Sequence, residues 1–155
     1  MSRNRGVDPN DVKQFPLSDG DWIEVRMRLT SGEDRMMQRL TAKGYQKSEA
    51  NDRGDAEFRI DYDVTKYAPV RIASYVTSWS IRNFKGDPIP LPANYSLERR
   101  VQIVESLDED TVQEIDDVVL AHIRVQQEAR AEEKKARAGS SGETASGATS
   151  PSAAT

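Results

Sequence analysis

The stretch Thr65–Ile81, TKYAPVRIASYVTSWSI, constrains this chain most, because it is the most apolar segment in a sequence with little apolar material. Hydrophobic residues make up only 36% of the 155, and charged residues 31%. The core must therefore be small, and this segment must lie at its centre. Ile72, Tyr75, Val76 and Trp79 fall at the i, i+3, i+4 and i+7 spacing of one helix face. Pro69 stands in the first turn of that pattern, where a missing N–H costs little. The spacing predicts a central helix that ends at Trp79–Ile81.

Two other segments have a period of two. In Trp22–Leu29, WIEVRMRL, Ile23, Val25, Met27 and Leu29 share one face, while Glu24, Arg26 and Arg28 share the other. In Glu57–Val64, Phe58, Ile60, Tyr62 and Val64 alternate with Arg59, Asp61 and Asp63. Ile60 and Val64 would also align on a helix, but the strict alternation selects a strand. Whether these two strands pair with each other is open, and a lone two-stranded sheet would need helix packing.

Helical signals fill most of the rest. Thr30 or Ser31 can cap a short helix carrying Met36, Met37 and Leu40, with Gly44 as its stop. Ser96 can cap a helix with Leu97, Val101, Val104 and Leu107 on one stripe. Asp108 can cap a last helix carrying Val112, Ile115, Val119 and His122/Ile123, with acids at its start and bases at its end as the helix dipole favours. The resulting expectation is an α+β fold, mainly helical. It has a small two-stranded sheet near the N-terminus packed on a helical core, a long C-terminal helix and a disordered tail. Residues 1–17 read as an irregular arm and 18–125 as one folded domain. Residues 126–137 read as a solvated helical extension. Residues 138–155, almost all Ala, Gly, Ser and Thr, read as a disordered low-complexity tail. The loop Lys47–Ala56 is polar and the most tolerant of insertion.

The residue inventory excludes several chemistries. A net charge of −4 argues against nucleic acid as a partner. No cysteine is present, so no disulfide, thiolate nucleophile or thiolate metal site can form. Met1–Val7 carries no apolar run of a signal peptide, and no stretch approaches a membrane span. The one histidine, His122, lies on the apolar side of the last helix and reads as structural. The acidic run DEDTVQEIDD lacks the spacing and central glycine of a calcium loop, and the helix dipole accounts for it. No glycine loop has the pattern that cradles phosphate. Arg53–Asp55 reads as a chance RGD, and the bases of KKAR are offset by Glu132 and Glu133. The expectation is a protein without catalytic residues, metal or cofactor.

One distinctive element remains: the corner Ser78–Tyr95, SWSIRNFKGDPIPLPANY. Gly86 supplies a turn. Pro88, Pro90 and Pro92 hold Ile89 and Leu91 in an extended path. Trp79, Gly86, Pro88 and Pro90 read as the structural core of the corner, with the proline strap packed over the tryptophan. Alternate side chains point to different sides, so Phe84, Ile89 and Leu91 are the candidates for facing a partner.

DGDWIEVRMRLTSGED, followed by YVTSWSIRNFKGDPIPL and a closing pair of helices, resembles the small tail assembly chaperones of long-tailed bacteriophages of the siphovirus type. The likeness covers Leu17–Ile123. It implies a non-enzymatic role in virion assembly: binding the aggregation-prone tape measure protein, keeping it soluble and promoting polymerisation of the tail tube protein around it. It implies a site of action in the host cell cytoplasm and absence from the mature virion. Self-association is open. The family often makes a longer form by ribosomal frameshifting, and Lys134–Lys135 is compatible with a slippery run. The alternative is a structural virion protein, a head–tail connector or a minor tail protein.

Overall fold

The computed structural model describes residues 6–47, 49–50, 52–56 and 58–140. Its first element corrects the expectation of an irregular arm. Val12–Pro16 form a strand, β1, that pairs antiparallel with β2, Trp22–Arg26. The segment has no clean alternation to announce it. It becomes a strand because the SDGD turn folds it back on β2, with Leu17 N–H donating to Asp21 O at 2.7 Å. Asp19 and Gly20 take left-handed φ values of 58° and 78° there, which Asp and Gly tolerate best. Pro16 ends an edge strand, where its missing donor is harmless.

The central helix is shorter than its spacing predicts. Helix α2 here covers Tyr67–Tyr75, and Val76–Trp79 then leave it as a strand, β5. The three-stranded sheet has the order β1-β2-β5, with Ile23 opposite Trp79 and Glu24 opposite Ser78. The register shifts between Glu24 and Val25, which leaves Thr77 as the extra residue of a bulge. Thr77 Oγ1 uses this position to donate to Glu24 Oε1 at 2.9 Å. Two β-branched residues in succession, Val76 and Thr77, weaken the helix just where an open edge of β2 can accept a strand.

The two segments with period two do not pair with each other. The second becomes β4, Phe58–Tyr62, and its partner is β3, Ala42–Lys47. That pair is a separate two-stranded sheet. Helix α1, Ser31–Thr41, starts at a full capping box between Thr30 and Glu33 and stops before Gly44. Gly44 lies inside β3, at a register irregularity, rather than terminating the helix. The first period-two strand is also cut short at Arg26, although Met27 N–H still donates to Asp11 O at 2.9 Å.

Helices α3, Leu97–Glu105, and α4, Glu109–Ser140, begin at Ser96 and Asp108 as their caps require. Asp108 accepts from Thr111 N–H at 2.9 Å and from its hydroxyl at 2.6 Å. The Thr111 hydroxyl and amide hold the Asp108 carboxyl below its ordinary pKa. Helix α4 runs through Ser140, three residues into the segment read as tail, and residues 141–155 lie outside those described. No helix among the described residues is long and apolar enough to cross a membrane.

The chain divides into two units, Met1–Ala121 and His122–Thr155. Within the first, the largest fully buried side chains are Ile23 and Val25 of β2, Val70 and Ile72 of α2, Val76 of β5, Val104 of α3, and Ile115 and Val119 of α4. Each contributes about 1.5–3 kcal/mol relative to an exposed state. Arg71 joins α2 to α4 through both oxygens of Asp116, at 2.9 Å each. Burial pushes the Asp116 carboxyl above its ordinary value even though Arg71 opposes the shift. In the second unit, His122 is buried and Val125 exposed.

Candidate functional site

The corner that follows β5 is a hairpin closed almost entirely by polar contacts. Arg82 bridges Pro88 in antiparallel fashion, and Ile89 N–H donates to Ile81 O at 3.0 Å. At the tip, Asn83 Oδ1 accepts from Lys85 N–H at 2.9 Å and Asp87 N–H at 3.0 Å. Gly86 has φ 81°, and its carbonyl accepts from Arg82 Nη1 at 2.9 Å. At the base, Trp79 Nε1 donates to Ile89 O at 2.7 Å, tying the tryptophan to the strap. Ser80 links the hairpin to the other half of the sheet: its hydroxyl donates to Asp21 Oδ1 at 2.8 Å and accepts from Trp22 N–H at 2.9 Å. The DGDW and SWS segments, remote in sequence, are thus one piece of structure.

The candidate residues of the corner separate cleanly. Phe84, at the tip, is 95% exposed, with Lys85 Nζ 5.6 Å from its ring centroid. Ile89 is half-buried. Leu91 is only 8% exposed and belongs to the core, so it is not available to a partner as the chain folds here. Trp79 is buried as expected, but Pro88 and Pro90 are exposed. The strap therefore meets Trp79 through the Ile89 carbonyl and buries Leu91, while Pro88 and Pro90 face outward. Alternation along an extended path produces this result: the prolines and the aliphatics occupy opposite sides.

A second site lies where sequence reasoning did not look. Arg26 ends β2 and is 9% exposed, although its strand position opposes that of the core residues Ile23 and Val25. Its Nη1 pairs with Glu33 Oε1, from the first turn of α1. Arg100 of α3 approaches the same place, and its Nη2 donates to Val76 O. Two cavities, of about 460 Å³ and about 500 Å³, share Arg26, Glu33, Ala93 and Arg100 as walls. Burial pushes the Glu33 carboxyl up, but hydrogen bonds from Arg26 and Thr30 outweigh it and hold the group below its ordinary value. Burial, and then the charge of Arg26, push the Arg100 guanidinium down, with Glu33 opposing. A sequence signal existed for Arg100, which sits beside Val101 in the Leu97–Val104 stripe. Arg26 gave none, because alternation places it on the polar face.

Arg53–Asp55 occupies a turn, and Glu114 caps the SDGD turn by accepting from Ser18 N–H at 2.6 Å and from its hydroxyl at 2.8 Å. Among the described residues, no group of His, Asp or Glu is arranged to hold a metal ion. No protein-family model, no curated protein and no solved structure matches this chain.

Proposed function

We propose that this protein is a non-enzymatic assembly factor of the phage tail assembly chaperone kind. It binds a tape measure protein in the host cytoplasm and keeps it soluble while the tail tube protein polymerises. One observation carries the binding part of this reading: Phe84, almost fully exposed, sits on a hairpin tip whose backbone is already fixed by Asn83, Gly86 and Arg82. A large aromatic on a pre-ordered loop loses little freedom on docking, so more of its contact energy appears as affinity. Half-buried Ile89 extends the apolar contact beside it. The assignment to tail assembly in particular rests on the motif likeness in Leu17–Ile123.

Co-expression with the tape measure protein of the same genome tests the proposal. The expected result is a soluble complex that copurifies, and particles from which this chain is absent. Phe84→Ser should lower capture by about tenfold, the loss of one interface anchor. Stoichiometric presence in purified virions would instead make the chain a connector or minor tail protein.

A further inference from the structure

The arginine pocket makes a demand that the fold itself does not meet. Two guanidiniums, Arg26 and Arg100, share one adjacent carboxylate, Glu33, which is already bonded to Arg26. Arg100 makes no ion pair among the described residues, and its buried Nε has no acceptor there. An arginine cannot relieve that cost by losing its proton at ordinary pH, as a lysine could. The second cavity also has Glu24 on its wall, which balances the charge on that side. The first has Arg26 and Arg100 against Glu33 alone and is net positive. Its remaining wall includes Met36, Tyr95 and Leu97, an apolar and aromatic lining beside the charges. Its volume, about 460 Å³, lies within the range of about 300–1,000 Å³ typical of small-molecule sites.

We propose that this cavity is a binding site for an organic anion: a carboxylate or phosphate group carried on an apolar or aromatic body. Arg100 takes the anionic group, Arg26 adds positive field held in place by Glu33, and Tyr95, Met36 and Leu97 take the body. Guanidinium is the side chain best matched to both oxyanions, and its charge-assisted hydrogen bonds are stronger than neutral ones. The site is independent of the chaperone reading, since none of its residues belongs to the Phe84 hairpin.

Calorimetric titration of the full chain with benzoate, phenyl phosphate and inorganic phosphate, at matched chloride ionic strength, tests this. Either aromatic anion should bind more tightly than inorganic phosphate. Benzoate as the better ligand would identify a carboxylate source, phenyl phosphate a phosphoryl source. Arg100→Gln should weaken that binding by about tenfold, the loss of a charge-assisted hydrogen bond, and Arg39→Gln on the exposed face of α1 should leave it unchanged. No heat from either aromatic anion, equal binding by inorganic phosphate, or full binding by Arg100→Gln overturns the proposal. Should Arg100→Gln fail to fold, the wild-type arginine Nε–Hε resonances decide. Ligand-induced shifts confined to Arg26 and Arg100 support the site, and shifts spread over surface arginines overturn it.

Discussion

The corner hairpin and the arginine pocket handle polar groups in opposite ways. In the corner, Asn83, Arg82, Ser80 and Trp79 each have a defined partner, and the exposed feature is a hydrophobic ring. In the pocket the walls are partly apolar, while the unmet group, Arg100 Nε, is cationic and buried. A site with satisfied polar groups offers surface, and a site with unsatisfied ones creates demand. The first suits a protein partner that supplies apolar area. The second suits a ligand that supplies charge.

The largest effect should come from the base of the corner. Trp79→Ala removes a buried aromatic and strips Ile89 O of its donor, so it should cost about 3–5 kcal/mol in urea denaturation. Trp79→Phe keeps most of the packing and should cost about 1–2 kcal/mol, the worth of the hydrogen bond. If the two substitutions cost the same, the Trp79–Ile89 hydrogen bond holds the corner and packing does not.

In the pocket, Glu33→Gln should cost about 1–2 kcal/mol near neutral pH. Glutamine can still complete the capping box, so the loss isolates the charge shared by Arg26 and Arg100; the figure is reduced for the half-exposed carboxylate. The pH dependence fixes the sign. Glu33 is held below its ordinary value in the fold, so its stabilisation is complete above the unfolded carboxylate value and disappears as pH falls through the folded one. Wild type and Glu33→Gln should therefore converge in acid. Asp116 works the other way: raised by burial, it favours the fold below its ordinary value and loses that contribution as pH rises through the folded value. It is present in both proteins and cancels in the difference. A gap between the two proteins that persists in acid would mean that Glu33 acts by shape alone.

Caps and turns were legible because their chemistry is local. Thr30, one of the two cap candidates, Ser96 and Asp108 each need only residues within a few positions, and each caps its helix. Strand membership was legible for Trp22–Arg26 and Phe58–Tyr62, but strand partners were not. β1 and β3 exist because a neighbour offers backbone donors and acceptors, and their own side chains barely signal it. β5 shows the strongest conflict: Val76 and Trp79 satisfy a helical spacing, yet sheet pairing with β2 prevails after Tyr75. Of the candidate site, Phe84 and the Trp79 base were readable from composition around a turn. The Arg26–Arg100 pocket was not, because its two arginines lie 74 positions apart and meet only after β2 and α3 are placed.

Gly86→Ala sharpens the comparison at lower cost. No atom lies within 4 Å of the added Cβ, so the penalty is the left-handed backbone alone, about 1 kcal/mol. It should loosen the tip without touching the pocket, and organic-anion binding measured by calorimetry should stay the same.

The smallest stability effect belongs to the residue with the largest expected effect on a partner. Phe84 is 95% exposed, so Phe84→Ser should change stability by less than about 0.5 kcal/mol. Its ring buries nothing in the free chain, and Asn83, Gly86 and Arg82 hold the tip without it. Urea denaturation of the variant should overlay that of the wild type, while Gly86→Ala shifts it. If Phe84→Ser destabilises as much as Gly86→Ala, the ring is already supporting the hairpin from outside. The corner would then be a self-contained structural corner, and the distinction between a surface that offers and a pocket that demands would fail on the side of the hairpin.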